Sequence, residues 1–466
     1  MTMNWTRSDI LEATRGTLLQ GSPVGSVGRI STDTRSIEPG DAFVALRGEN
    51  HDAHDFLGAA VEKGAETLVV SRLPDERPVP APSHVTVVRV PDTLTALGQL
   101  ARFHRSRFTV PVAGITGSNG KTSTKEMVSA ILGQGRKVLK NRGNFNNLVG
   151  VPLTLLSLEP DHEIAVVEMG INVPGEMDRL VHMAVPTAGI VTNVHPAHLE
   201  GLGSLDRILE EKGKLLSSLG AGGVAVINLD DERLETFSKR LECRRVTYSL
   251  QKQEAMVALG GPVEVKEGVS VFPLRLGKET VPARLSVLGM HQVQNAVAAA
   301  ALAWALGESP ESVVRGLSLH QPVKQRMQMH RLAGERILID DTYNANPQSM
   351  LASVRTVVAA SSGRPVLAVL GEMRELGPGS AALHYEVGFQ VGASGIRFLI
   401  TMGEFGREIQ RGARDAGLSA SSCFHAGSHE EAVERLRDWM PRDAWIVVKG
   451  SRGMTMERVV EGMMDS

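Results

Sequence analysis

The chain has 466 residues, of which 42% are hydrophobic and 22% are charged, as in ordinary globular proteins. Its 50 basic and 52 acidic residues give a formal net charge of −2, so no basic surface points to nucleic acid as a partner. Met1–Asp9 lacks the apolar core of a signal peptide, and the longest apolar run, Ala296–Leu306, is too short to cross a bilayer.

Residues 1 to about 108 predict a small α/β domain. Apolar runs predict strands at Val44–Leu46 and Thr67–Val70. Helices are expected at Phe56–Val61 and at Leu94–Arg105, where apolar residues recur at helical spacing. A second unit begins after the second of these helices.

The second unit opens with a phosphate-binding pattern. The apolar run Pro111–Ala113 predicts a strand, the glycine-rich stretch Gly114–Gly120 a turn, and Thr124–Leu132 a helix. In such a turn, free backbone N–H groups and the positive end of the helix dipole face an anion. Lys121 adds a positive charge, and the Thr122 hydroxyl can hold Mg²⁺.

The spacing of this turn departs from the usual Gly-x-x-x-x-Gly-Lys-Ser/Thr pattern. Ile115 stands where that pattern has its first glycine, Gly114 lies one position too early, and Gly117 supplies the nearer turn. A glycine-rich turn without a ligand is the alternative, but the strand, Gly-Lys-Thr and the helix occur together here. We therefore predict that the chain binds a nucleoside triphosphate.

The rest of the second unit alternates strands and helices. Nearly continuous apolar runs at 164–167, 188–192 and 223–227 predict parallel strands that are buried on both faces. Residues 244–288 alternate apolar and polar side chains instead, and we expect them to form a small antiparallel patch. An apolar, alanine-rich helix is expected at 292–306.

A break at Leu319–Pro322 opens a third unit, which predicts another doubly wound sheet. Its strands are expected at 337–339, 366–370, 398–401 and 445–448. The chain is therefore predicted to be an α/β protein with three domains, at residues 1–108, 109–319 and 320–466.

Reactive side chains follow several of these strands, at the edge of an open α/β sheet where ligands bind. Glu168 ends the strand at 164–167, and its carboxylate can reach a Mg²⁺ ion that Thr122 holds. His195 and His198 follow the next strand, where two histidines can reach a second metal ion. The alternatives are a solvated glutamate and packed or solvated histidines.

Three further clusters suit polar or anionic ligands. Asn144–Asn147 lies between two apolar segments, where polar recognition and turn formation both fit. Asp340 and Asp341 follow the first strand of the third unit, where they could bind ribose hydroxyls or cap a helix. Lys449 and Arg452 follow its last strand and suit an anion, although a solvated loop would carry the same residue types.

Taken together, these segments resemble the Mur ligase family, whose members form amide bonds with ATP in the synthesis of peptidoglycan precursors. The resemblance runs nearly from end to end. The segments that carry it are Thr32–Arg35, Pro39–Leu46, Thr116–Thr122, Gly143–Leu155, Glu168–Gly170, Asn193–Gly203, Gly289–Ala301, Ile339–Pro347, Leu370–Gly377 and Val448–Arg452.

The resemblance implies an N-terminal α/β domain that binds a UDP-sugar, a central P-loop domain with a mainly parallel sheet, and a C-terminal Rossmann-like ligase domain. Members that add lysine or diaminopimelate usually carry an Asp-Asn-Pro-Arg motif, which this chain lacks. It has Asn344–Pro347 instead, as members that add D-alanyl-D-alanine do. The implied reaction joins D-Ala-D-Ala to UDP-MurNAc-tripeptide through an acyl phosphate and releases ADP and phosphate.

The resemblance also implies a role for each matching residue. The residues that would bind ATP are Thr116, Gly117, Ser118, Asn119, Gly120, Lys121, Thr122, Ser123, His291, Asn295, Arg326 and Asp341. The residues that would contact the other substrates are Thr32, Asp33, Thr34, Arg35, Asn144, Asn146, Asn147, Asn344, Asn346, Lys449 and Arg452, with the roles of the last two left open.

Two Mg²⁺ ions are implied as cofactors beside ATP. Thr122 and Glu168 would hold the first ion, and His198 and Lys212 the second. The lysine at the position of Lys212 is commonly carbamylated in the family, which turns a cation into a carboxylate-like ligand. The catalytic residues that the resemblance implies are Lys121, Glu168, His198 and Lys212. Lys214 stands where many relatives have glutamate, and adds a positive charge near the second ion.

Two other interpretations involve a different amide ligase or no ligase at all. A folylpolyglutamate-synthase-like enzyme or another Mur ligase is the first, but the block Thr32–Leu46 argues against the folate enzymes, which lack a separate UDP-sugar domain. A regulatory or UDP-sugar-binding protein is the second, and the intact set of catalytic residues argues against it. Cys243 and Cys423 lie far apart and fit a reducing cytosol, so we expect a cytoplasmic location. We also expect a monomer that does not insert into membranes.

Overall fold

The computed structural model describes residues 5–48, 50–73, 82–196, 199–266 and 268–464. Within these ranges the chain forms three α/β domains, each built on one main sheet, which confirms the predicted fold class. No helix in the described ranges has the length and apolar character needed to span a membrane. The boundaries at residues 108 and 319 stay predictions.

The N-terminal domain carries a five-stranded sheet, a two-stranded sheet and three α-helices in its described part. Its strands are β1 (Trp5–Thr6), β2 (Thr17–Gln20), β3 (Ser26–Val27), β4 (Ile30–Ser31), β5 (Ala42–Val44), β6 (Thr67–Val70) and β7 (Thr86–Arg89), and its helices are α1 (Arg7–Thr14), α2 (Leu57–Glu62) and α3 (Thr93–Ser106). The sheet order is β2-β7-β6-β5-β4, while β1 and β3 pair separately. Both predicted helices and the strand at β6 are confirmed, whereas β5 lies two residues earlier than predicted.

The central domain holds the phosphate-binding turn. Its described strands are β8 (Val112–Thr116), β9 (Val138–Lys140), β10 (Ile164–Glu168), β11 (Ala188–Val191), β12 (Val224–Asn228), β13 (Arg244–Ser249), β14 (Val257–Leu259), β15 (Glu264–Lys266), β16 (Val269–Leu276) and β17 (Glu279–Leu285). Its described helices are α4 (Lys121–Leu132), α5 (Gly150–Leu156), α6 (Glu176–Ala184), α7 (Leu199–Leu202), α8 (Leu205–Ser217), α9 (Glu232–Ser238), α10 (Met290–Ala305) and α11 (Pro310–Leu319).

These strands form one sheet in the order β15-β16-β14-β13-β12-β11-β8-β10-β9, with β17 paired to β16. The predicted parallel strands at β10, β11 and β12 are confirmed. The expectation of a separate antiparallel patch over residues 244–288 is wrong in its first part. β13 pairs parallel with β12, because α9 supplies the crossover between them. β14 also pairs parallel with β13. Only β15, β16 and β17 are antiparallel to their neighbours.

The alanine-rich helix α10 lies in the core of the central domain. Its side chains from Ala296 to Ala303 are almost fully buried and pack in the same cluster as those of α4 and β12. Small side chains let helices approach each other closely, so α10 can lie directly against the helix that follows the phosphate-binding turn. This packing brings Asn295 to the turn itself.

The C-terminal domain is a second doubly wound unit, as predicted. Its described strands are β18 (Gln328–Arg331), β19 (Ile337–Asp340), β20 (Val366–Leu370), β21 (Phe398–Met402), β22 (Cys423–Ala426) and β23 (Trp445–Lys449), and its described helices are α12 (Pro347–Ala360), α13 (Ser380–Gly392), α14 (Gly406–Asp415), α15 (His429–Trp439) and α16 (Glu457–Met464). The sheet order is β18-β19-β23-β20-β21-β22, and every pair except β18 with β19 is parallel.

Candidate active site

The turn between β8 and α4 depends on two glycines. Gly117 has φ 147° and Gly120 has φ 79°, which are conformations that side chains with a Cβ rarely adopt. A Cβ at Gly117 would collide with the Thr192 hydroxyl, and one at Gly120 would collide with the side-chain amide of Asn295. The turn is therefore packed tightly against β11 and α10, and no larger residue fits at either position.

The residues after β11 hold this turn in place. Asn193 accepts hydrogen bonds from two N–H groups of the turn. The Ser118 N–H donates to the Asn193 carbonyl at 3.0 Å, and the Asn119 N–H donates to Asn193 Oδ1 at 2.9 Å. The Ser118 hydroxyl donates to the His195 carbonyl at 2.8 Å and accepts from the His195 N–H at 2.9 Å. Thr192 donates its hydroxyl to the Asn119 carbonyl at 2.6 Å. The turn is thus fixed by hydrogen bonds within one sheet.

The Lys121 side chain folds back over the turn. Its Nζ donates to the carbonyls of Gly117 at 2.8 Å and Ser118 at 3.3 Å. Burial lowers the pKa of Lys121, while the charge of Glu168 opposes this shift and that of Arg326 adds to it. An anion bound at the turn would balance these two neighbouring cations.

Glu168 lies at the end of β10, beside the turn, and is 1% exposed. Its Oε1 accepts from the Thr122 hydroxyl at 3.1 Å and from Asn146 Nδ2 at 2.7 Å. Its Oε2 has no hydrogen bond within the described structure, and the Lys125 ammonium lies 3.6 Å from it. The predicted neighbourhood of Thr122 and Glu168 is therefore present, with one carboxylate oxygen left without a donor.

Side chains at the end of β23 and in the loops after β19 and β23 form the opposite wall of the site. Lys449 Nζ donates to Asp341 Oδ2 at 2.6 Å and to the Asn344 carbonyl at 2.9 Å. The Arg452 N–H donates to Asn344 Oδ1 at 3.3 Å, and the Arg452 side chain pairs with Glu457 at 2.9 Å. A buried lysine thus fixes the position of the Asp341 side chain at the sheet edge.

Two side-chain hydrogen bonds connect this wall to the turn. Arg326 Nη2 donates to the Thr122 hydroxyl at 3.1 Å, and its guanidinium lies 4.0 Å from the centre of the Tyr343 ring. Asn346 Nδ2 donates to Asn119 Oδ1 at 2.6 Å. Asn346 also caps α12, because its side chain accepts from the Ser349 N–H. The sequence had suggested a substrate contact for Asn346, and the cap is an additional structural role.

One cavity of about 680 Å³ joins these walls. The predicted site residues that line it are Ser118, Asn119, Gly120, Lys121, Thr122, Ser123, Asn144, Asn146, Asn147, Glu168, His291, Asn295, Arg326, Asp341, Asn344, Asn346, Lys449 and Arg452. Thr116 ends β8 and Gly117 follows it, and neither is among the described residues that line the cavity. His198 lies outside the described residues, so its predicted metal contact stays a prediction.

The asparagine loop also has a local structural role. Asn147 Oδ1 accepts from the N–H groups of Val149 at 3.1 Å and Gly150 at 2.9 Å, at the start of α5. The expected turn formation is therefore present in a segment that also lines the cavity, while recognition of a polar ligand by this segment stays a prediction.

The segment Thr32–Arg35 does not line this cavity in the described structure. Arg35 instead pairs with Asp33, from Nη2 to Oδ2 at 2.7 Å, and the pKa of Asp33 falls to about 2 because of this hydrogen-bonded pair. The pair is largely exposed on the N-terminal domain. Contact of these four residues with a UDP-sugar stays a prediction.

Lys212 is buried on α8 and lies 1% exposed. Its Nζ has no hydrogen bond within the described structure. Burial lowers the pKa of Lys212 well below its usual value, and the nearby Lys121 charge lowers it further. Lys214 lies on another face of the helix, where it pairs with Asp178 and Glu211, each at 2.7 Å. The extra charge that the sequence suggested near the second ion is therefore balanced by two carboxylates.

The predicted adenine residues lie at the start of α10. Asn295 packs against the turn and donates to Gln292 Oε1 at 3.2 Å. Burial lowers the pKa of His291 to about 4, so its imidazole is neutral at pH 7. Both side chains line the cavity next to the turn.

Sequence reasoning missed several side chains of this site. Lys125 contacts Glu168, and its position one helical turn after Lys121 was the available signal. Tyr343 and Arg374 line the cavity within quoted motifs, but neither was assigned a role. Asn141, whose side chain binds the backbone of Glu168, gave no signal in the sequence.

Three family profiles match the chain in the order of its domains. They are described as "Mur ligase family, catalytic domain" over residues 26–105, "Mur ligase middle domain" over 115–303 and "Mur ligase, glutamate ligase domain" over 325–452. The chain belongs to the Mur ligase family. The resemblance inferred from the sequence motifs is therefore confirmed.

Individual relatives match over almost the whole chain. A UDP-N-acetylmuramoyl-tripeptide–D-alanyl-D-alanine ligase of Escherichia coli (strain K12) is 36% identical over 450 residues, which cover 96% of each chain. The crystal structure of MurF from Acinetobacter baumannii superposes with a TM-score of 0.90 at 32% identity over all of both chains. The structure of MurF ligase from Thermotoga maritima in complex with ADP superposes with a TM-score of 0.82 at 27% identity, over 94% of this chain and 97% of that one.

Proposed function

We propose that this Mur ligase joins D-alanyl-D-alanine to UDP-N-acetylmuramoyl-tripeptide at the expense of ATP. The products would be UDP-MurNAc-pentapeptide, ADP and phosphate. The observation that carries the proposal is the single cavity that the P-loop turn, Glu168 and the strand ends of the C-terminal domain line together. The matching relatives named as ligases of this specificity support the choice of substrates.

The P-loop turn would bind the triphosphate. Backbone N–H groups at the start of α4 and the helix dipole favour an anion there. Lys121, which now donates to two carbonyls of the turn, would turn its ammonium to the β- and γ-phosphates. Arg326 reaches Thr122 from the C-terminal side and adds a second cation near the same phosphates. His291 and Asn295 would lie near the adenine.

A carboxylate does not react with an amine at neutral pH, because its leaving group would be oxide or hydroxide. In the proposed first step, an oxygen of the peptide carboxylate attacks the γ-phosphorus and the bond to the ADP oxygen breaks. In the second step, the neutral amine of D-Ala-D-Ala attacks the acyl carbon. The tetrahedral intermediate then loses phosphate, and the amine proton goes to solvent. Such phosphoryl transfer depends on positioning and charge neutralisation.

The residues at the first predicted metal site fit Mg²⁺. Glu168 offers a buried Oε2 without a hydrogen bond, and the Thr122 hydroxyl lies 3.1 Å from its Oε1. Carboxylate and hydroxyl oxygens are ligands that Mg²⁺ accepts. When bound there, the ion would neutralise charge on the β- and γ-phosphates.

Lys212 would contribute to a second Mg²⁺ site only after modification. An ammonium cannot bind a metal ion, but a buried neutral amine can add CO₂, forming an N–C bond and releasing a proton. The resulting carbamate is a carboxylate-like ligand. Burial of Lys212, the missing partner of its Nζ and the lowered pKa all support this reaction. His198 would be the second protein ligand.

The acyl phosphate must be kept from water until the dipeptide amine attacks. The C-terminal domain lines the cavity from the other side, and its Asp341 would bind the ribose. The N-terminal domain, with Thr32–Arg35, would hold the UDP group. A cytoplasmic location and a monomeric state stay predictions from the sequence.

The experiment is a phosphate-release assay with omission controls. With ATP and Mg²⁺ present, ADP and phosphate should appear only when UDP-MurNAc-tripeptide and D-Ala-D-Ala are both added, in equal amounts with the pentapeptide. Steady ATP hydrolysis when one or both of these substrates are left out would rule out the proposed specificity. Equal hydrolysis with another amino acid in place of the dipeptide would rule it out as well.

A further inference from the structure

The P-loop helix α4 carries a second lysine, one turn after Lys121. Lys125 is fully buried, although lysines are almost never buried unless their charge is paired. Burying an ammonium is costly unless hydrogen bonds and opposite charges surround it. Its partners therefore indicate what this lysine does.

The Lys125 ammonium contacts three separate parts of the central domain. It donates to the carbonyls of Asn141 at 3.1 Å and Gly143 at 3.0 Å, in the segment after β9. It pairs with Glu126 on its own helix at 3.0 Å. It also lies 3.6 Å from Oε2 of Glu168, at the end of β10.

The Asn141 side chain joins the segment after β9 to the end of β10. Its Oδ1 accepts from the Glu168 N–H at 2.6 Å, and its Nδ2 donates to the carbonyls of Phe145 at 2.7 Å and Glu168 at 3.2 Å. Asn146, four residues before α5, donates to the Glu168 carboxylate at 2.7 Å. The asparagine segment and the end of β10 are thus joined through both backbone and side chains.

We propose that Lys125 is a positioning residue: its ammonium holds the segment 141–147 against the P-loop helix and orients the Glu168 carboxylate toward α4. This role rests on the proposed function, in which that segment contacts the UDP-sugar substrate and Glu168 contacts the nucleotide's metal ion. Lys125 would keep the two binding regions in a fixed relation. Without it, two backbone carbonyls lose their buried donor, and the segment loses this contact with α4 while its hydrogen bonds to Glu168 remain.

The test compares Lys125→Met with the control Lys140→Met. Methionine keeps the apolar stem of lysine and removes the donor. Lys140 pairs with the same Glu126 and is 44% exposed, but within the described structure it makes no hydrogen bond to the carbonyls of Asn141 or Gly143. Any effect of removing an ion pair with Glu126 should therefore appear in both variants.

Hydrogen exchange gives a readout that needs no substrate. The N–H groups of Phe145 and Asn146 are hydrogen-bonded within the segment, so their protection can be followed. In Lys125→Met these amides should exchange at least about tenfold faster, while the amides of residues 127–132 in α4 keep their protection. Lys140→Met should leave both groups unchanged.

Steady-state kinetics gives the second readout. Lys125→Met should raise KM for the UDP-tripeptide at least about tenfold and leave KM for D-Ala-D-Ala within about twofold. Should Lys125→Met not fold, Lys125→Gln, which keeps one donor without the charge, should give the same pattern at a smaller size.

Unchanged exchange at residues 145–146, or equal rises in both KM values, would overturn the positioning role. Failure of the proposed function is distinguishable, because the wild-type chain would then form no pentapeptide while the exchange result on Lys125 could still be obtained.

Discussion

The two halves of the candidate active site are built in different ways. On the nucleotide side, the turn between β8 and α4 is fixed by main-chain and side-chain hydrogen bonds to the residues that follow β11, within one sheet. On the C-terminal side, Asp341, Asn344 and Lys449 bind one another at the edge of a separate sheet. Two described side-chain hydrogen bonds, from Arg326 and Asn346, join this half to the P-loop turn.

This difference indicates which part of the site is preformed. We expect the nucleotide half to keep its geometry without help from the C-terminal domain, because the hydrogen bonds from the residues after β11 to the turn lie within the central domain. The C-terminal half can separate from it at the cost of a few side-chain hydrogen bonds, each contributing about 1 kcal/mol. We therefore expect closure of the C-terminal domain to be reversible and to follow substrate binding.

The largest expected effect comes from removing the cation of the preformed half. Lys121→Ala should lower turnover at least ~10²-fold, the scale for deletion of one preorganised electrostatic donor. Phosphate release at saturating substrates measures it. Lys137→Ala is a suitable control, because Lys137 is an exposed lysine that pairs with Glu159 and Asp161 away from the turn. Wild-type turnover in Lys121→Ala would contradict the phosphate-binding assignment.

A similar loss is expected at the buried lysine of α8. Lys212→Ala should lower turnover by about two orders of magnitude, as for other groups that stabilise charge in the transition state. A short-chain carboxylic acid should restore part of the activity, because it replaces the carbamate. Lys214→Ala should stay within about threefold of the wild type, since its charge is already paired outside the cavity. A fully active Lys212→Ala variant would remove this residue from the metal site.

A smaller effect is expected at the contact between the halves. Asn346→Ser keeps the cap of α12 but lacks the amide that reaches Asn119, whereas Asn346→Ala loses both. Both variants should lower turnover roughly tenfold, because without this hydrogen bond the two halves would hold the reacting groups of the substrates in the wrong relative position. Only the alanine variant should lower the free energy of unfolding, by about 1 kcal/mol. Denaturant unfolding and phosphate release measure the two effects. Normal turnover in Asn346→Ser would mean that this hydrogen bond does not align the halves.

The smallest effect concerns acid stability near the linker between the domains. Burial lowers the pKa of His320 to about 4, while Glu126 raises it and Lys140 lowers it further. The unfolded chain takes up this proton near pH 6.5, so stability should fall as the pH drops from about 6.5 to about 4. The His320→Gln variant has no imidazole to protonate, so its free energy of unfolding should fall less between these pH values. The difference between the two proteins should be roughly 1–3 kcal/mol. Equal pH dependence in both proteins would contradict the assigned neutral state.

Local patterns predicted the nucleotide half well. The strand, turn and helix of the P-loop, and the carboxylate at the end of β10, follow from periodicity and from the chemistry of a phosphate site. The pattern of Arg244–Leu288 misled because alternation reports which side chains are buried, not the direction of a strand. The direction of β13 is set by the crossover helix α9, which the pattern does not include.

Long-range contacts were beyond sequence reasoning. The pairing of Lys125 with Glu168 joins residues 43 positions apart, and that of Arg326 with Thr122 joins residues 204 positions apart. The segment Thr32–Arg35 was chosen by resemblance, but its distance from the cavity depends on how the N-terminal domain packs. Such placements follow from tertiary structure rather than from local spacing.

The most direct test of the account follows the oxygen atoms of the reacting carboxylate. UDP-MurNAc-tripeptide labelled with ¹⁸O at both oxygens of the carboxylate to be joined would be incubated with ATP, Mg²⁺ and D-Ala-D-Ala. An acyl phosphate requires one labelled oxygen in the released phosphate and the other in the new amide carbonyl. Phosphate without the label, in a reaction that still forms the pentapeptide, would contradict transfer of the γ-phosphoryl group to the peptide.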